Sequence, residues 1–321
     1  MNDHPECAVG CPLECVDTCA LHPDVRGEPI RLEEALARFE KEAVQRACNT
    51  GRYRMPYYTW GNGPPLVLIH GVSDSNRSFV QVIARLSAHF RCVAYDLPSG
   101  RGDGALPQHY RPGHLVADLV ALLDHLGLQR SYLFASSFGS LVGLAALHQC
   151  PARFPRAVVQ SGLAWRPLKP AERALAHVMR LFRGPTRRLP WREKMLRKRN
   201  FAPFADRAPA VWRYFLETTG WTPIKAFAHQ LLLLDHIDLR PVLGEIRQPV
   251  LMVCGDCDPV VGRAQEEELF RGLPNVGRVV LEGCGHLPAY THPEVLAEVT
   301  RQSLTPPADA MVTASAAEEE I

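Results

Sequence analysis

Residues 131–147 read SYLFASSFGSLVGLAAL, a short apolar run that a turn of small residues joins to a longer one. The first run, Ser131–Ala135, has the length of a buried strand, and Leu141–Leu147 is apolar enough for a buried helix. Between them, Ala135–Gly139 (ASSFG) has small residues two positions before and two positions after Ser137. A tight strand-to-helix turn needs small residues there, because its backbone is crowded where it exposes a serine oxygen. We therefore predict Ser137 as a nucleophile.

Ser136 is the alternative nucleophile within the same turn. Counting back from Gly139, only Ser137 lies at the apex of the turn. Ser140 falls inside the predicted helix, where a small residue can pack closely on a sheet. We therefore expect Ser136 and Ser140 to have structural roles.

Similar short apolar runs recur along the chain, and helical stretches separate them. The predicted strands are Leu66–Ile69, Arg91–Tyr95, Ser131–Ala135, Ala157–Gln160, Pro249–Cys254 and Gly277–Leu281. The predicted helices are Phe79–His89, Leu115–Leu126, Leu141–Gln149 and Pro293–Ser303. Strands that are apolar on both faces and alternate with helices are typical of a parallel sheet covered on two sides. The predicted fold class is α/β with a mostly parallel, doubly wound sheet, whose functional sites lie at the carboxyl ends of the strands.

Further elements precede and interrupt this alternation. Arg31–Cys48 has apolar residues at helical spacing, and Tyr53–Trp60 alternates as a strand does. Residues 165–243 are helix-like and rich in Arg, Trp and Phe, which predicts a helical, basic cap inserted over the strand ends. We expect four parts, which are a Cys-rich flexible arm (1–28), an α/β core (29–164 and 244–304), the cap (165–243) and a disordered tail (305–321).

Two carboxylates follow the strand Pro249–Cys254, within GDCDP (255–259). A carboxylate on this loop can hold a histidine in one tautomer and stabilise the imidazolium that forms when the histidine takes a proton. Asp258, directly before proline, is predicted for this role. Asp256 is better suited to a turn or a cap.

The histidine is predicted to be His286, in GCGHLP (283–288) after the last strand. Its flanking glycines allow the loop to reach across the strand ends, where His286 would act as the base for Ser137. The order Ser, Asp, His along the chain is the one found where the nucleophile stands on such a strand-to-helix turn.

A tetrahedral oxyanion requires two N–H donors that are already in place. One would be the amide of Phe138, the residue after the nucleophile, and the other the amide of Val72, after the strand Leu66–Ile69. His70, in the same loop as Val72, is interpreted as structural.

The chain resembles the α/β-hydrolase superfamily, in its esterase and epoxide-hydrolase-like branch with an inserted cap. The resemblance lies in LVLIHG, YDLPSGRG, LFASSFGS, VLMVCGDCDPVV and GCGHLP, and it covers residues 50–303 except the cap. It implies the same nucleophile, acid, base and oxyanion donors. Three positions depart from the family pattern, which are Ser136 in place of His, Ala135 in place of Gly, and an extra Ser99 after Asp96. Epoxide hydrolases and haloalkane dehalogenases of this family use Asp as nucleophile, and Ser137 argues against both.

The predicted function is a serine hydrolase that cleaves an acyl ester or thioester through an acyl-enzyme. Acyl transfer and C–C bond hydrolysis on the same residues remain open, as does a non-catalytic, ligand-binding member of the fold. No cofactor or metal is predicted at the site.

The cap is strongly basic over one short stretch. Nine Lys or Arg residues lie between positions 180 and 199, opposed only by Glu193. Such a stretch, interleaved with apolar residues, can contact an anionic membrane surface, accept an acyl substrate that carries phosphate, or form a solvated helix face. Four cap residues favour a hydrophobic acyl group, and they are Trp212, Phe215, Trp221 and Phe227.

Composition narrows the location and the partners. The net charge of +2 does not predict a nucleic-acid partner, and no apolar run is long enough to span a membrane. We expect a cytoplasmic protein, with the cap as a potential peripheral membrane contact. Cys7, Cys11, Cys15 and Cys19 recur every fourth residue. They could hold a metal, but the interposed Pro12 and the missing C-x-x-C pairs favour a plain flexible arm.

Overall fold

The computed structural model describes residues 30–106, 109–200 and 203–305. The predicted arm with its four cysteines, and the predicted tail beyond residue 305, lie outside the described residues. Within the described part, no group of three or more His, Cys, Asp or Glu side chains is arranged to hold a metal ion. None of the described helices is both long and apolar enough to cross a bilayer.

The described residues form a sheet of eight strands in the order β1-β2-β4-β3-β5-β6-β7-β8. The strands are β1 Val44–Asn49, β2 Arg54–Trp60, β3 Pro65–Ile69, β4 Arg91–Tyr95, β5 Tyr132–Ser136, β6 Ala157–Gln160, β7 Val250–Gly255 and β8 Val276–Leu281. β2 is antiparallel to β1 and to β4, and all the other neighbours are parallel. This arrangement confirms the predicted mostly parallel α/β fold.

Helices cover both faces of the sheet. The described helices are α1 Leu32–Glu42, α2 Val80–Leu86, α3 Pro112–His125, α4 Phe138–Gln149, α5 Pro170–Met179, α6 Arg192–Arg199, α7 Pro203–Arg207, α8 Pro209–Thr219, α9 Ile224–His236, α10 Arg263–Gly272, α11 Pro288–Thr291 and α12 Pro293–Leu304. One apolar core lies between the sheet and the faces of α3 and α4, and a second lies between the sheet and α1, α2 and α12. Because side chains alternate across each strand, the same apolar strand supplies both cores.

The predicted helix over Arg31–Cys48 is wrong beyond Glu42. Ala43 is extended, and the following residues form the edge strand β1, in which Cys48 pairs with Met55 of β2. The apolar residues at helical spacing end at Ala43, and from Val44 onward backbone pairing with β2 replaces the helix. Pairing with a neighbouring strand is a tertiary interaction, which local spacing does not reveal.

Five of the described helices, α5 to α9, lie between β6 and β7. They reach the loop that follows β3, where the backbone N–H of Ser73 donates to Gln230 of α9 and the Ser73 hydroxyl donates to the carbonyl of Thr219. These contacts connect the inserted helices to the carboxyl ends of the strands.

Candidate active site

Ser137 occupies a strained turn between β5 and α4. Its φ of 52° and ψ of −119° are unfavourable for a residue with a side chain. Two backbone hydrogen bonds hold the turn, from Ser137 N–H to the Gln160 carbonyl (3.0 Å) and from Ser140 N–H to the Ser137 carbonyl (2.8 Å). A Cβ at Gly139 would lie 2.5 Å from the Ile69 carbonyl oxygen, so only glycine allows α4 to begin this close to β3. The turn thereby directs the Ser137 side chain above the sheet.

Ser137, His286 and Asp258 form one continuous chain of hydrogen bonds. The His286 Nε2 atom lies 2.9 Å from the Ser137 Oγ atom, and His286 Nδ1 lies 2.8 Å from Asp258 Oδ2. The side chains of His286 and Asp258 are only 9% and 1% exposed. The structure therefore brings together the three side chains that were predicted, although 149 residues separate Ser137 from His286 along the chain.

The surroundings of Asp258 favour its charged form. Burial would raise the pKa of this carboxyl, but the hydrogen bond and charge of His286 and the amides of Val260 and Val261 together lower it below its usual value. These two amides donate to Oδ1 at 2.8 and 3.1 Å, which leaves Oδ2 for the histidine. A carboxylate can only accept, so His286 must carry its proton on Nδ1 and keep Nε2 free to accept the Ser137 proton.

Asp256, the competing carboxylate, has a different position. Its Oδ1 atom accepts the backbone N–H of Cys284 at 3.1 Å, and its own N–H donates to the Leu281 carbonyl. Asp256 therefore anchors the loop that carries His286 and does not contact the imidazole.

The two residues predicted to supply the oxyanion donors, Phe138 and Val72, both lie close to the nucleophile. Phe138 is the first residue of α4, where an N–H group has no acceptor within the helix. Val72 follows Gly71, at which an added Cβ would lie 3.2 Å from the Ser137 Cβ atom. The loop after β3 therefore passes directly beside the Ser137 side chain.

His70 fixes the backbone of this same loop. The side chain is buried, its Nε2 accepts the Leu97 N–H at 3.0 Å, and its Nδ1 donates to the Gly71 carbonyl at 2.8 Å. Burial lowers the pKa of His70 to about 4, so the ring is neutral near pH 7. A neutral ring supplies one donor and one acceptor, which are the two groups that this position uses.

A largely apolar cavity lies above Ser137 and His286, between the strand ends and the inserted helices. Its apolar wall includes Leu163, Leu196, Phe215, Phe227, Leu231 and Leu234. Two of the four aromatic residues that were predicted to contact an acyl group, Phe215 and Phe227, do line it. The expectation is wrong for the other two, because Trp212 is buried among α7, α8 and α11, and Trp221 lies on the outer surface.

Several polar residues of the site carried no role in the sequence prediction, among them Gln160, Arg192 and Asp74. Gln160 accepts from the Ser136 hydroxyl and donates to the His286 carbonyl, so it ties the serine strand to the histidine loop. Arg192 and Asp74 line the cavity itself. Gln160 is the last residue of β6, and Asp74 lies in the loop after β3. Both residues therefore lie at the carboxyl end of a strand, and this position is the feature by which the sequence could have indicated a role in the site. Arg192 was noted only as one charge among nine, and its place in the cavity depends on how the cap folds.

Residues 66–299, well over half of the chain, match the sequence profile of a family described as "Alpha/beta hydrolase family". The chain belongs to this family. Three similar proteins illustrate its place within the α/β hydrolases. A curated relative named "Putative carbamate hydrolase RutD", from Pseudomonas savastanoi pv. phaseolicola, is 28% identical over 252 residues, covering 72% of this chain and 90% of the relative.

A second relative is the 3-hydroxybutyrate-oligomer hydrolase of Cupriavidus necator. It is 27% identical over 279 residues, which cover 79% of this chain and 94% of that protein. Among solved structures, a hydrolase from Pseudomonas aeruginosa PA01 superposes with a TM-score of 0.74 at 22% identity, covering 82% of this α/β hydrolase and 98% of that chain. The predicted family and fold are thus confirmed, and the comparisons support the coarser function of a hydrolase.

Asp74 gives this α/β hydrolase a titratable group inside the cavity. Burial raises the pKa of Asp74 to about 7, although the Ser75 amide and the Tyr290 hydroxyl both donate to its Oδ1 atom. Between about pH 4 and pH 7 the folded protein keeps a proton that the unfolded chain has lost, so stability falls as the pH rises through this window.

We expect Asp74→Asn to stabilise the protein more at about pH 8 than at about pH 5. Asparagine keeps the Oδ1 acceptor and cannot ionise. It therefore removes the loss of folding stability that the ionisable Asp74 causes in wild type at the higher pH. Urea unfolding at the two pH values measures the difference. Asp206→Asn is the matched control, because it makes the same substitution at an exposed position outside the cavity, and its effect should not change between the two pH values. An equal effect of Asp74→Asn at both would show that Asp74 is ionised throughout.

Proposed function

We propose that the protein is a serine hydrolase that cleaves an acyl ester or thioester through an acyl-enzyme. Ser137 is the nucleophile, His286 the general base, and Asp258 the acid that orients His286. The observation that carries the proposal is the unbroken hydrogen-bond chain from Ser137 Oγ through His286 to Asp258 Oδ2, at the base of an apolar cavity.

The acylation step uses each group of this catalytic triad. Ser137 Oγ attacks the carbonyl carbon while His286 Nε2 takes the hydroxyl proton, and Asp258 stabilises the imidazolium that results. The carbonyl oxygen becomes an oxyanion, for which the amides of Val72 and Phe138 are the proposed donors. When the intermediate collapses, the bond to the alcohol or thiol breaks and His286 returns the proton to that leaving group.

Deacylation repeats the sequence with water. His286 takes a proton from water as its oxygen attacks the acyl carbon, and the second intermediate releases the carboxylic acid while Ser137 regains its proton. The neutral, Nδ1-protonated form of His286 is the form that both half-reactions require, and Asp258 is placed to favour it.

The cavity lining supports a hydrophobic acyl group. Each methylene that moves from water into an apolar wall contributes about 0.8 kcal/mol. We therefore expect kcat/KM for straight-chain acyl esters to rise on the order of fourfold per methylene, until the chain fills the cavity. Arg166 and Arg192 also line the cavity, which supports including acyl groups and thioesters with a negative charge among the substrates to be tested.

A fluorophosphonate probe tests the proposal directly. We expect covalent labelling of Ser137, found by peptide mass spectrometry, and no labelling of the Ser137→Ala variant. Turnover should then be measured on acyl esters of graded length, acyl-CoA thioesters, a carbamate and 3-hydroxybutyrate oligomers, the last two because the similar proteins carry those names.

Each alternative function has its own result in this experiment. Labelling without net hydrolysis, together with acyl transfer to an added alcohol or amine, would indicate an acyltransferase. Activity confined to C–C bond substrates would indicate a C–C hydrolase. Absence of both labelling and turnover would contradict the proposal and leave the ligand-binding alternative.

A further inference from the structure

The outer surface of the inserted helices carries an unusual share of exposed apolar side chains. Ten large apolar side chains are exposed among the described residues, and seven of them belong to residues 175–221. These seven are Leu175, Val178, Leu181, Phe182, Trp191, Met195 and Trp221, of which Met195 lines the cavity above Ser137 and does not belong to the outer surface. Leu181 is 81% exposed and Trp191 is 78% exposed, so water surrounds most of both side chains. A soluble surface does not normally concentrate large apolar groups in one region unless that region contacts something.

Two of these side chains, Trp191 and Trp221, border one surface groove. The groove also contains three exposed cations, which are Arg187, Lys194 and Arg213. The Arg187 guanidinium lies over the Trp221 ring, 3.5 Å from its centroid. We call these five residues the basic-aromatic face.

Carboxylates neutralise only part of this charge. Glu193 and Glu217 border the same groove, and Glu193 is paired with Arg197 at 3.3 Å. Arg197 also pairs with Asp206 at 3.1 Å, so its charge is largely used within the protein. Arg187, Lys194 and Arg213 are exposed beside the two tryptophans, and the surrounding Arg180, Arg183 and Arg188 are exposed as well.

A second apolar strip continues from α5. Leu175 and Val178 are three residues apart on α5, which places them on one side of that helix, and the exposed Phe182 follows shortly after the helix ends at Met179. Ala176, on the opposite side, is buried with Leu232 where α5 packs on α9. The strip therefore points away from the protein interior, and it leads into the exposed Arg183.

The basic-aromatic face is separated from the catalytic cavity by a thin wall. Leu189 and Arg192 line the outer groove, and they also line the cavity that contains Ser137 and His286. A molecule bound at the outer face is therefore one side chain away from the proposed acyl site.

We propose that the basic-aromatic face, together with the α5 strip, docks on a bilayer that contains anionic phospholipid. Tryptophan prefers the interface between headgroups and acyl chains, and each Lys or Arg near an anionic surface contributes about 1 kcal/mol. A peripheral membrane contact combines two kinds of side chain. Apolar side chains insert into the bilayer surface, and cations attract the anionic headgroups. The docking itself does not depend on the proposed activity. The further step, in which an acyl ester dissolved in the lipid reaches Ser137, rests on the proposed function.

Vesicle co-sedimentation tests the docking on the full-length protein. At about 0.05 M salt we expect at least about tenfold stronger binding to phosphatidylglycerol–phosphatidylcholine vesicles than to phosphatidylcholine alone. The difference should vanish near 1 M salt, where the Debye length falls to about 3 Å. Replacing Arg183, Arg187 and Lys194 with Gln should weaken binding on the order of a hundredfold, and Trp191→Ala with Trp221→Ala should weaken it at least about tenfold.

Matched variants outside the cap control for charge and apolarity. Arg54, Arg130 and Arg271 are also exposed, and their triple Gln variant changes the net charge by the same amount. Val44→Ala with Val280→Ala removes exposed apolar groups elsewhere. Neither control should change vesicle binding, and all these variants should hydrolyse a small neutral ester as wild type does, which shows that they fold.

Two results would overturn the inference. One is equal binding to neutral and anionic vesicles, and the other is binding that the cap variants and the control variants reduce alike. Ser137→Ala separates the two proposals, because this variant should bind vesicles normally. Vesicle binding without any esterase activity would contradict the proposed function alone, and esterase activity without vesicle binding would contradict the docking alone.

Discussion

Replacing Ser137 with alanine is expected to lower kcat for a short neutral ester by about 10⁴- to 10⁶-fold. The Ser137 hydroxyl donates its hydrogen bond to His286 Nε2, and Ser137 also stands at the strained apex of the β5–α4 turn. Alanine leaves the turn in place but removes the atom that forms the acyl-enzyme. Steady-state kinetics of purified wild type and variant, with circular dichroism to compare their folds, measures the effect.

Ser136→Ala is the neighbouring control. The Ser136 hydroxyl donates to Gln160 at 2.8 Å and does not contact His286. Losing one such bond costs about 1 kcal/mol, so we expect a loss of about fivefold at most. If Ser136→Ala abolished turnover and Ser137→Ala did not, the register assigned to the turn would be wrong.

The order of strands and helices in the core could be predicted largely from the sequence. β3, β4, β6, β7 and β8 were each predicted to within about one residue at either end, because buried parallel strands are short, continuous apolar runs. The helix α10, Arg263–Gly272, was not predicted, since its mean composition is polar and its few buried positions, such as Leu269, give little periodic signal. The edge strand β1 was assigned to a helix because its pairing with β2 is a tertiary interaction, which the local sequence does not show.

For the candidate site, the sequence was sufficient to predict that Ser137, Asp258 and His286 lie close together. Each of them follows a predicted strand, and the carboxyl ends of parallel strands meet at one edge of the sheet. Sequence could not place Trp212 and Trp221, since both are aromatic residues in a helical segment and only packing distinguishes a buried ring from an exposed one. The same limit applies to Arg192, whose neighbours in sequence are exposed cations. Residues whose role depends on how the cap packs are therefore the ones that the sequence left undetermined.

The roles of the two exposed tryptophans, Trp191 and Trp221, also depend on how the inserted helices pack. From the sequence, Trp221 was expected to favour a hydrophobic acyl group, whereas Trp191 lay within the basic stretch, whose role was left open. Both side chains border the outer groove beside Arg187 and lie outside the catalytic cavity, which is why they belong to the docking surface that we propose. The triple substitution that tests it uses Arg183, Arg187 and Lys194, because Arg197 is already paired within the cap.

Asp258→Asn is expected to reduce kcat by about 10⁴-fold, through the tautomer of His286 as well as through lost charge. The amides of Val260 and Val261 both donate to Oδ1, so the asparagine must keep its oxygen there and turn its NH₂ group toward the histidine. His286 Nδ1 would then have to accept, which moves the ring proton to Nε2, where it blocks transfer from Ser137.

Asp256→Asn is the matched control for this change, because it makes the same substitution two residues away. Asparagine at 256 can still accept the Cys284 amide through its oxygen, so the loop that carries His286 should stay in place. Weakening one partly exposed hydrogen bond costs about 0.5–1.5 kcal/mol, and we expect a loss of about tenfold at most. Ester kinetics of both variants decides the assignment: a severe loss at Asp256 with a mild one at Asp258 would transfer the orienting role to Asp256, against the 2.8 Å contact between Asp258 and His286.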